Sequence, residues 1–204
     1  MSMEQSTHQR IVAGARRNFF ANGIRGVSMD DLAHELGMSK KTLYAHFSSK
    51  AALVEAALQD KIREVGADLE RISSESAADF PGAIHQLLAC VLRHMGEVQP
   101  PFQRDIMREA PEAFRLVEIQ RKEMIQRHMG KLLSEGCRAG IIRKDIPAGL
   151  LVEIFLGVVQ AIMNPLKLSE LGLTPKSGFS AILSVIFEGT VTEEGRSRLW
   201  PNRV

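Results

Sequence analysis

The stretch from Ser28 to Phe47, SMDDLAHELGMSKKTLYAHF, constrains the fold more than any other part of the chain. Its spacing predicts two short helices, since Ser28 is a favourable N-cap with Asp31 three residues on, and Ser39 caps the second helix. Gly37, between them, can adopt the positive φ that a tight turn needs. Two capped helices of this length are too small to form a core alone. We therefore predict a helix-turn-helix that packs against neighbouring helices.

The residue types inside this stretch fit the same geometry. Ala33 is small enough for two helices to cross closely, and apolar side chains that can hold the pair together are Leu32, Leu36, Met38, Leu43 and Phe47. The second helix, from Lys40 to about His46, carries mostly polar or amphipathic side chains on its remaining positions. In a helix-turn-helix this helix lies in the major groove of DNA.

The remaining chain is also predicted to be helical. Apolar residues recur at helical spacing, as at Ile11, Ala15 and Phe19 in a first helix. A helix that begins after Ser49 keeps an apolar stripe to Ile72 and is followed by a predicted loop, 73–79. Further helices are predicted to begin near Pro81, Phe102, Pro111, Pro147 and Thr174, for about nine helices in total. Aromatic residues make up only 5% of the sequence, which favours helices over strands. The predicted fold class is all-α.

Charge is distributed unevenly, although the formal net charge is only +2. The first fifty residues carry seven Lys and Arg against four Asp and Glu, so a site for a polyanion is expected there. The first residues, MSMEQSTHQR, contain no apolar signal core, and the most apolar stretch, Leu150 to Leu168, is interrupted by charged and polar residues. These features, and two cysteines in apolar patterns, predict a cytoplasmic protein without a membrane span.

The segment from Phe19 to Leu53 closely resembles the N-terminal domain of TetR-family transcriptional regulators. The resemblance extends over roughly residues 8–55 and rests on Gly23, Gly26, Ser28, Leu36-Gly-Met-Ser39, Thr42-Leu-Tyr44, His46-Phe47 and Lys50. The rest of the chain resembles the family only in the number, length and order of its helices. The resemblance implies a three-helix DNA-binding domain over residues 1–52. It implies a larger helical domain for ligand binding and dimerisation over residues 53–204.

The resemblance also implies roles for individual side chains on double-stranded DNA. Positions that face bases or the thymine methyl group correspond to Lys41, Thr42 and Tyr44. Positions that hold phosphates correspond to Ser28, Ser39, Lys40, Tyr44, His46 and Lys50. At Lys50, the ammonium group and the positive end of the helix dipole both favour a phosphate. The chain departs from the family at Ala45, where a large or basic residue is common, so one phosphate contact is missing.

The helix after Pro147 is apolar along two adjacent ridges, one of Leu150, Ile154, Val158, Ile162 and Leu166, the other of Leu151, Phe155, Val159 and Met163. A helix with such a wide apolar surface must be buried on several sides, in a monomer core or against a second copy. The resemblance favours a homodimer through the helices around 150–166 and 177–189. A reader of a palindromic operator also needs such a partner.

A pocket for a small effector among helices four to eight is implied by the resemblance as well. The candidate lining residues are Met95, Phe102, Met107, Met124, Phe155 and Met163, with Cys90, Gln120 and Gln160 as polar anchors. Methionines adapt to irregular apolar ligands, so the effector is expected to be small and mostly apolar. For each residue alone, a place in the core is the simpler interpretation.

These expectations combine into a ligand-responsive repressor. The alternatives are a small-molecule-binding helical protein whose DNA-binding domain is weak or non-specific, and a sequence-blind nucleoid-type binder. An enzyme is disfavoured, because no phosphate loop, nucleophile elbow or zinc protease motif is present. Cys90 and His94 lie one turn apart and could form a thiolate pair or half of a metal site. A buried Cys beside a partly exposed His is the favoured interpretation, and we predict neither a cofactor nor a metal.

Overall fold

The computed structural model describes residues 3–76 and 78–195, without the side chains of residues 3–5 and 165. Within these residues the regular secondary structure is helical, apart from one isolated antiparallel bridge between Ile142 and Val191. The predicted all-α fold class is therefore confirmed. The helices are α1 (Met3–Asn22), α2 (Met29–Glu35), α3 (Lys40–His46), α4 (Lys50–Glu75), α5 (Phe80–Glu97), α6 (Pro100–Glu109), α7 (Pro111–Arg138), α8 (Ala148–Ile162), α9 (Pro165–Glu170) and α10 (Pro175–Thr190).

The first of two compact units comprises Met1–Val65 and Gly96–Gln120. Its core confirms the predicted face of α1, because Ile11, Ala15 and Phe19 are fully buried. Helix α6 packs against α1, with the rings of Phe20 and Phe102 4.7 Å apart between centroids. The amide of Gln99 donates to the carbonyl of Phe20 at 2.9 Å, so the chain is fixed to α1 just before α6 begins. The DNA-binding domain predicted for residues 1–52 stays a prediction, as does its boundary.

An ionic network in this unit joins α1 to α4. The guanidinium of Arg16 lies 2.9 Å from a carboxylate oxygen of Asp60 and 2.7 Å from one of Glu64. The ammonium of Lys61 lies 2.5 Å from a carboxylate oxygen of Glu97. The two basic side chains are largely buried, at 21% and 10% exposure. Buried cations of this kind stabilise only while their carboxylate partners remain in place.

The second compact unit comprises Gly66–Met95 and Arg121–Val204. In this unit α8 packs against α10, where the rings of Phe155 and Phe179 meet edge to face at 6.2 Å. Leu151 and Val159 lie on the same buried ridge of α8 as Phe155. Within the described part of the chain, no helix combines the length and the apolar character needed to cross a membrane.

The end of α4 corrects the predicted loop over residues 73–79. The helix continues to Glu75, because three serines satisfy their hydroxyl groups on the helix itself. The hydroxyls of Ser73, Ser74 and Ser76 each donate to the backbone carbonyl three residues earlier, at 3.2, 2.7 and 2.8 Å. Ser73 is also fully buried and forms a 3.1 Å hydrogen bond with Nδ1 of His128 on α7. This polar segment therefore stays helical because Ser73 is buried with a hydrogen-bond partner, His128, which is distant in the sequence.

The end of α8 corrects the helix predicted to continue through Leu166. Helix α8 ends at Ile162, and Asn164 caps α9 by accepting a 2.9 Å hydrogen bond from the amide of Lys167. A proline cannot donate to the preceding turn, so Pro165 opens a new helix instead of extending the old one. The large side chain of Leu166 is exposed on α9.

Candidate nucleic-acid interface

The start of α2 is fixed by a reciprocal pair of hydrogen bonds. The hydroxyl of Ser28 accepts from the amide of Asp31 at 3.1 Å, and the carboxylate of Asp31 accepts from the amide of Ser28 at 3.0 Å. This is the capping box that the sequence predicted. The hydrogen bond from the Ser28 side chain is the main reason why the pKa of Asp31 is lowered. The carboxylate is therefore charged at the helix N-terminus, where the dipole favours it.

The turn after α2 depends on Gly37, whose φ of +63° confirms the predicted positive value. The amide of Met38 donates to the carbonyl of Ala33 at 2.9 Å, and the amide of Gly37 donates to that of His34 at 3.1 Å. These two bonds form a Schellman motif, which satisfies the last carbonyls of α2. The turn therefore has a defined geometry that fixes where α3 can begin.

Helix α3 buries one side and leaves the other open. Leu43 is fully buried and Phe47 nearly so, in one cluster with Leu32 and Ala33 of α2. Ser39 caps the helix, since its hydroxyl accepts from the amide of Thr42 at 3.0 Å. These contacts confirm the predicted caps and the predicted apolar contacts between the two helices. They hold α3 as a rigid support for its outer side chains.

The outer face of α3 carries the side chains predicted to contact DNA. Lys40, Lys41, Thr42 and Tyr44 are exposed, and Tyr44 leaves 48% of its surface open although it is an aromatic residue. Ser28 and Ser39 are exposed at the two caps, with their hydroxyls engaged there. His46 is half-buried, with its ring 6.3 Å from that of His8. Lys50, also half-buried, is the first residue of α4, which the hydroxyl of Ser49 caps through the amide of Ala52 at 3.1 Å. Their roles on DNA stay predictions.

Sequence reasoning missed an ion pair on this face. The ammonium of Lys40 lies 2.5 Å from a carboxylate oxygen of Asp30, and both side chains are more than half exposed. Asp30 is the second residue of α2, ten positions before Lys40, so no helical spacing relates the two. Only the turn at Gly37 brings them together. One of the predicted phosphate-binding cations therefore has a competing partner on the protein.

Three of the predicted effector contacts lie in the first unit, in different settings. Phe102 is buried against Phe20 in the core, and Met107 is 56% exposed on α6. The side-chain oxygen of Gln120 is buried and has no hydrogen-bond partner among the described residues. A buried acceptor without a donor costs about 1–3 kcal/mol.

The other predicted effector contacts lie in the second unit. Cys90 is buried on α5, while Met95 on α5 and Met124 on α7 are half-buried. Phe155 is buried against α10, and Met163, at the end of α8, places its sulfur near Gly178 of that helix. Gln160 is exposed on α8. Thus Phe155 and Met163 both face α10, and the ligand-binding role of all these residues stays a prediction.

The N-terminal part of the chain matches known regulators. The family model described as "Bacterial regulatory proteins, tetR family" matches residues 11–57. The HTH-type transcriptional regulator TtgR of Pseudomonas putida is 34% identical over 92 residues, 45% of this chain. That alignment spans 43% of TtgR, less than half of its length.

Similarity also extends over nearly the whole chain. The uncharacterized HTH-type transcriptional regulator YvaF of Bacillus subtilis is 26% identical over 186 residues, 91% of this chain and 96% of YvaF. The structure of SmeT in complex with triclosan has a TM-score of 0.64 at 15% identity, and covers 92% of this chain and 93% of that one. At this identity the structural likeness concerns the fold alone.

Proposed function

The chain belongs to the TetR family of transcriptional regulators, and from that premise we propose that it is a ligand-responsive repressor that binds a palindromic operator as a homodimer. The observation that carries this proposal is the capped α2–Gly37–α3 unit, with Lys41, Thr42 and Tyr44 exposed on one rigid helix. We assign no enzymatic activity to the chain and place it in the cytoplasm with its DNA.

Each exposed group on α3 has a distinct chemical use on DNA. Lys41 and Thr42 can hydrogen-bond to base edges in the major groove, and the ring of Tyr44 can pack against a thymine methyl group. Phosphates suit the capping hydroxyls of Ser28 and Ser39, the cations Lys40 and Lys50, and the ring of His46. Contacts to phosphates fix the register of the helix in the groove. Tyr44 supports this proposal best, because an aromatic side chain left half open on a short helix gains by burial in an interface.

The dimer proposal is supported by the outer ridge of α8. Leu150 and Ile154 lie one turn apart on this ridge and are both exposed, whereas the neighbouring ridge packs against α10. Val185 on α10 is also exposed. Apolar side chains on two helices that already pack together suit a self-complementary four-helix interface with a second copy.

The effector that we propose is small and mostly apolar. SmeT, which shares the fold, was solved with triclosan. In the second unit, Met95, Met124 and Met163 offer adaptable apolar surface for such a ligand.

Helix α4 is the element through which we propose that the effector acts. It begins with Lys50 and contributes residues to both compact units. Arg16 and Lys61 bind carboxylates on α4 and at the end of α5, so a shift of α4 would move α1 with it. A changed spacing between the two recognition helices lowers operator affinity, and by linkage the operator lowers effector affinity by the same factor.

The test is fluorescence anisotropy with a labelled duplex from upstream of the protein's own gene, measured against scrambled competitor at several salt concentrations. A site from random-sequence selection replaces this duplex if it is not bound. We expect Tyr44→Ala to reduce the preference for operator over scrambled DNA by about 1–3 kcal/mol. Lys50→Gln should weaken both complexes alike and reduce the salt slope by about 1.

Lys176→Gln is the matched control, because Lys176 is an exposed lysine on α10, which belongs to the second compact unit. It should leave both affinities unchanged. Binding that is steep in salt but indifferent to sequence would replace the operator reader with a non-specific binder. If the protein binds no DNA in this assay, its function would be small-molecule binding alone.

The dimer is tested by sedimentation of Ile154→Glu protein, with Leu171→Glu as the control. Both residues are about half exposed in the second unit, but only Ile154 lies on the outer ridge of α8. We expect Ile154→Glu to sediment as a monomer and Leu171→Glu as a dimer. A dimeric Ile154→Glu protein would contradict the proposed interface.

A further inference from the structure

Three side chains with metal-binding atoms converge between α4 and α5 in the second unit. Asp68 lies on α4, and Cys90 and His94 lie one turn apart on α5. Their ligand atoms, one from each residue, all lie within 4.8 Å of one another. We propose that these residues bind a zinc-like divalent ion.

The separations are close to those that tetrahedral coordination needs. Bond lengths of about 2.0–2.1 Å from zinc to nitrogen and oxygen place two such ligands about 3.4 Å apart. Nε2 of His94 and Oδ2 of Asp68 are already 3.0 Å apart. The sulfur of Cys90 lies within the same 4.8 Å limit, which is near enough for it to be the third ligand. Water can fill the fourth position.

The chemistry of the three donors is selective. A thiolate together with an imidazole favours zinc and similar soft or borderline ions over magnesium or calcium, which prefer oxygen ligands. Binding releases the thiol proton of Cys90 to solvent and leaves a sulfur–metal bond. His94 had been predicted to be partly exposed, but it is 6% exposed and Cys90 is 5% exposed. Burial limits the access of bulk water to the sulfur and the imidazole, and the part-exposed carboxylate of Asp68 leaves a path for the ion and for the water in its fourth position.

A cation of the protein competes for the same carboxylate. The guanidinium of Arg93 pairs with Oδ2 of Asp68, the oxygen that also contacts His94, and a nitrogen of Arg71 lies 4.0 Å from Oδ1. The side chain of Arg93 is 57% exposed, so it can turn into solvent when an ion arrives. If His94 and Asp68 formed only a structural pair, Arg93 would serve only to balance the charge of the Asp68 carboxylate. If the three residues bind a metal, Arg93 competes with the ion for the carboxylate of Asp68, so removal of Arg93 strengthens ion binding.

The experiment uses the full-length, untagged, metal-free protein. Cobalt(II) is titrated first, because a tetrahedral cobalt–thiolate complex gives sulfur-to-metal charge-transfer and intense visible absorption bands. Zinc is then added to displace the cobalt and to yield its affinity. The variants are Cys90→Ser, His94→Gln, Asp68→Asn and Arg93→Gln, with Cys137→Ser as the control for the second thiol. Circular dichroism verifies that each variant is folded.

We expect one cobalt ion per chain, with the charge-transfer band lost in Cys90→Ser and retained in Cys137→Ser. His94→Gln and Asp68→Asn should each weaken zinc binding at least about 10–100-fold, because the loss of a residue that only supports a metal ligand already has an effect of that size. Arg93→Gln should bind zinc more tightly than the wild type. A charge-transfer band that persists in Cys90→Ser, or zinc affinity unchanged in all four folded variants, would overturn the proposal, as would the absence of saturable binding.

Discussion

Gly37 offers the sharpest test of how the turn between α2 and α3 is specified, through the substitution Gly37→Ala. Its φ is +63°, and a methyl group built at this position would meet no atom within 4 Å. Steric clash with the rest of the protein therefore contributes nothing. The whole effect must come from the backbone conformation.

The magnitude follows from two opposing contributions. An L-residue in the left-handed region costs about 1–2 kcal/mol. Replacing glycine restricts the unfolded chain and recovers roughly 0.4–1 kcal/mol. The free energy of unfolding should therefore fall by about 1 kcal/mol, which lowers the urea midpoint by roughly 0.3–1 M. Gly37→Asn should lose less, because asparagine tolerates this region better.

The matched control is Gly96→Ala in the same compact unit. A methyl group at Gly96 also meets no atom within 4 Å, but Gly96 is helical and has no positive φ. Alanine should raise the free energy of unfolding there by about 0.5–1 kcal/mol. Urea unfolding followed by circular dichroism compares the two variants. Midpoints shifted in the same direction, or no loss for Gly37→Ala, would refute the backbone argument.

Three further predictions concern stability. Burial lowers the pKa of His128 below 6.5, outweighing the nearby carboxylate of Glu70, so the unfolded chain gains a proton before the folded chain does as the pH falls through 6.5. Wild-type protein should therefore lose more stability than His128→Gln between about pH 7.5 and 5.5, measured as the shift in urea midpoint. Ser28→Ala removes the capping box and should lower the free energy of unfolding by about 0.5–2 kcal/mol, whereas an unchanged thermal transition would show that the cap is dispensable. Arg16→Gln leaves its carboxylate partners unneutralised and should lower the thermal transition, and Glu64→Gln added to it should restore part of the loss.

Features decided within a few residues could be predicted from the sequence. The caps at Ser28, Ser39 and Ser49 and the positive φ at Gly37 all follow from local hydrogen bonds or backbone sterics. The predicted bounds of α3 match for the same reason. Helix α3 and the side chains on its open face could therefore be predicted from the sequence alone.

Features decided by distant partners could not be predicted in this way. The end of α4 stays helical because Ser73 meets His128, 55 positions away. Phe102 belongs to the core around Phe20, which no local pattern indicates. The pairing of Lys40 with Asp30 needs the turn geometry, which composition does not encode. At these places tertiary packing, and not local preference, decides the structure.

The Lys40–Asp30 pair has a consequence for how the proposed repressor searches a genome. A phosphate must first separate the two side chains, and an exposed pair of this kind opposes it by at most about 1 kcal/mol. The opposition is the same on every sequence, because phosphates carry no base information. Residence on random DNA is therefore shortened while base readout by α3 is untouched. The proposed repressor would thus bind every site slightly more weakly, and it would leave non-cognate sites faster during its search for the operator.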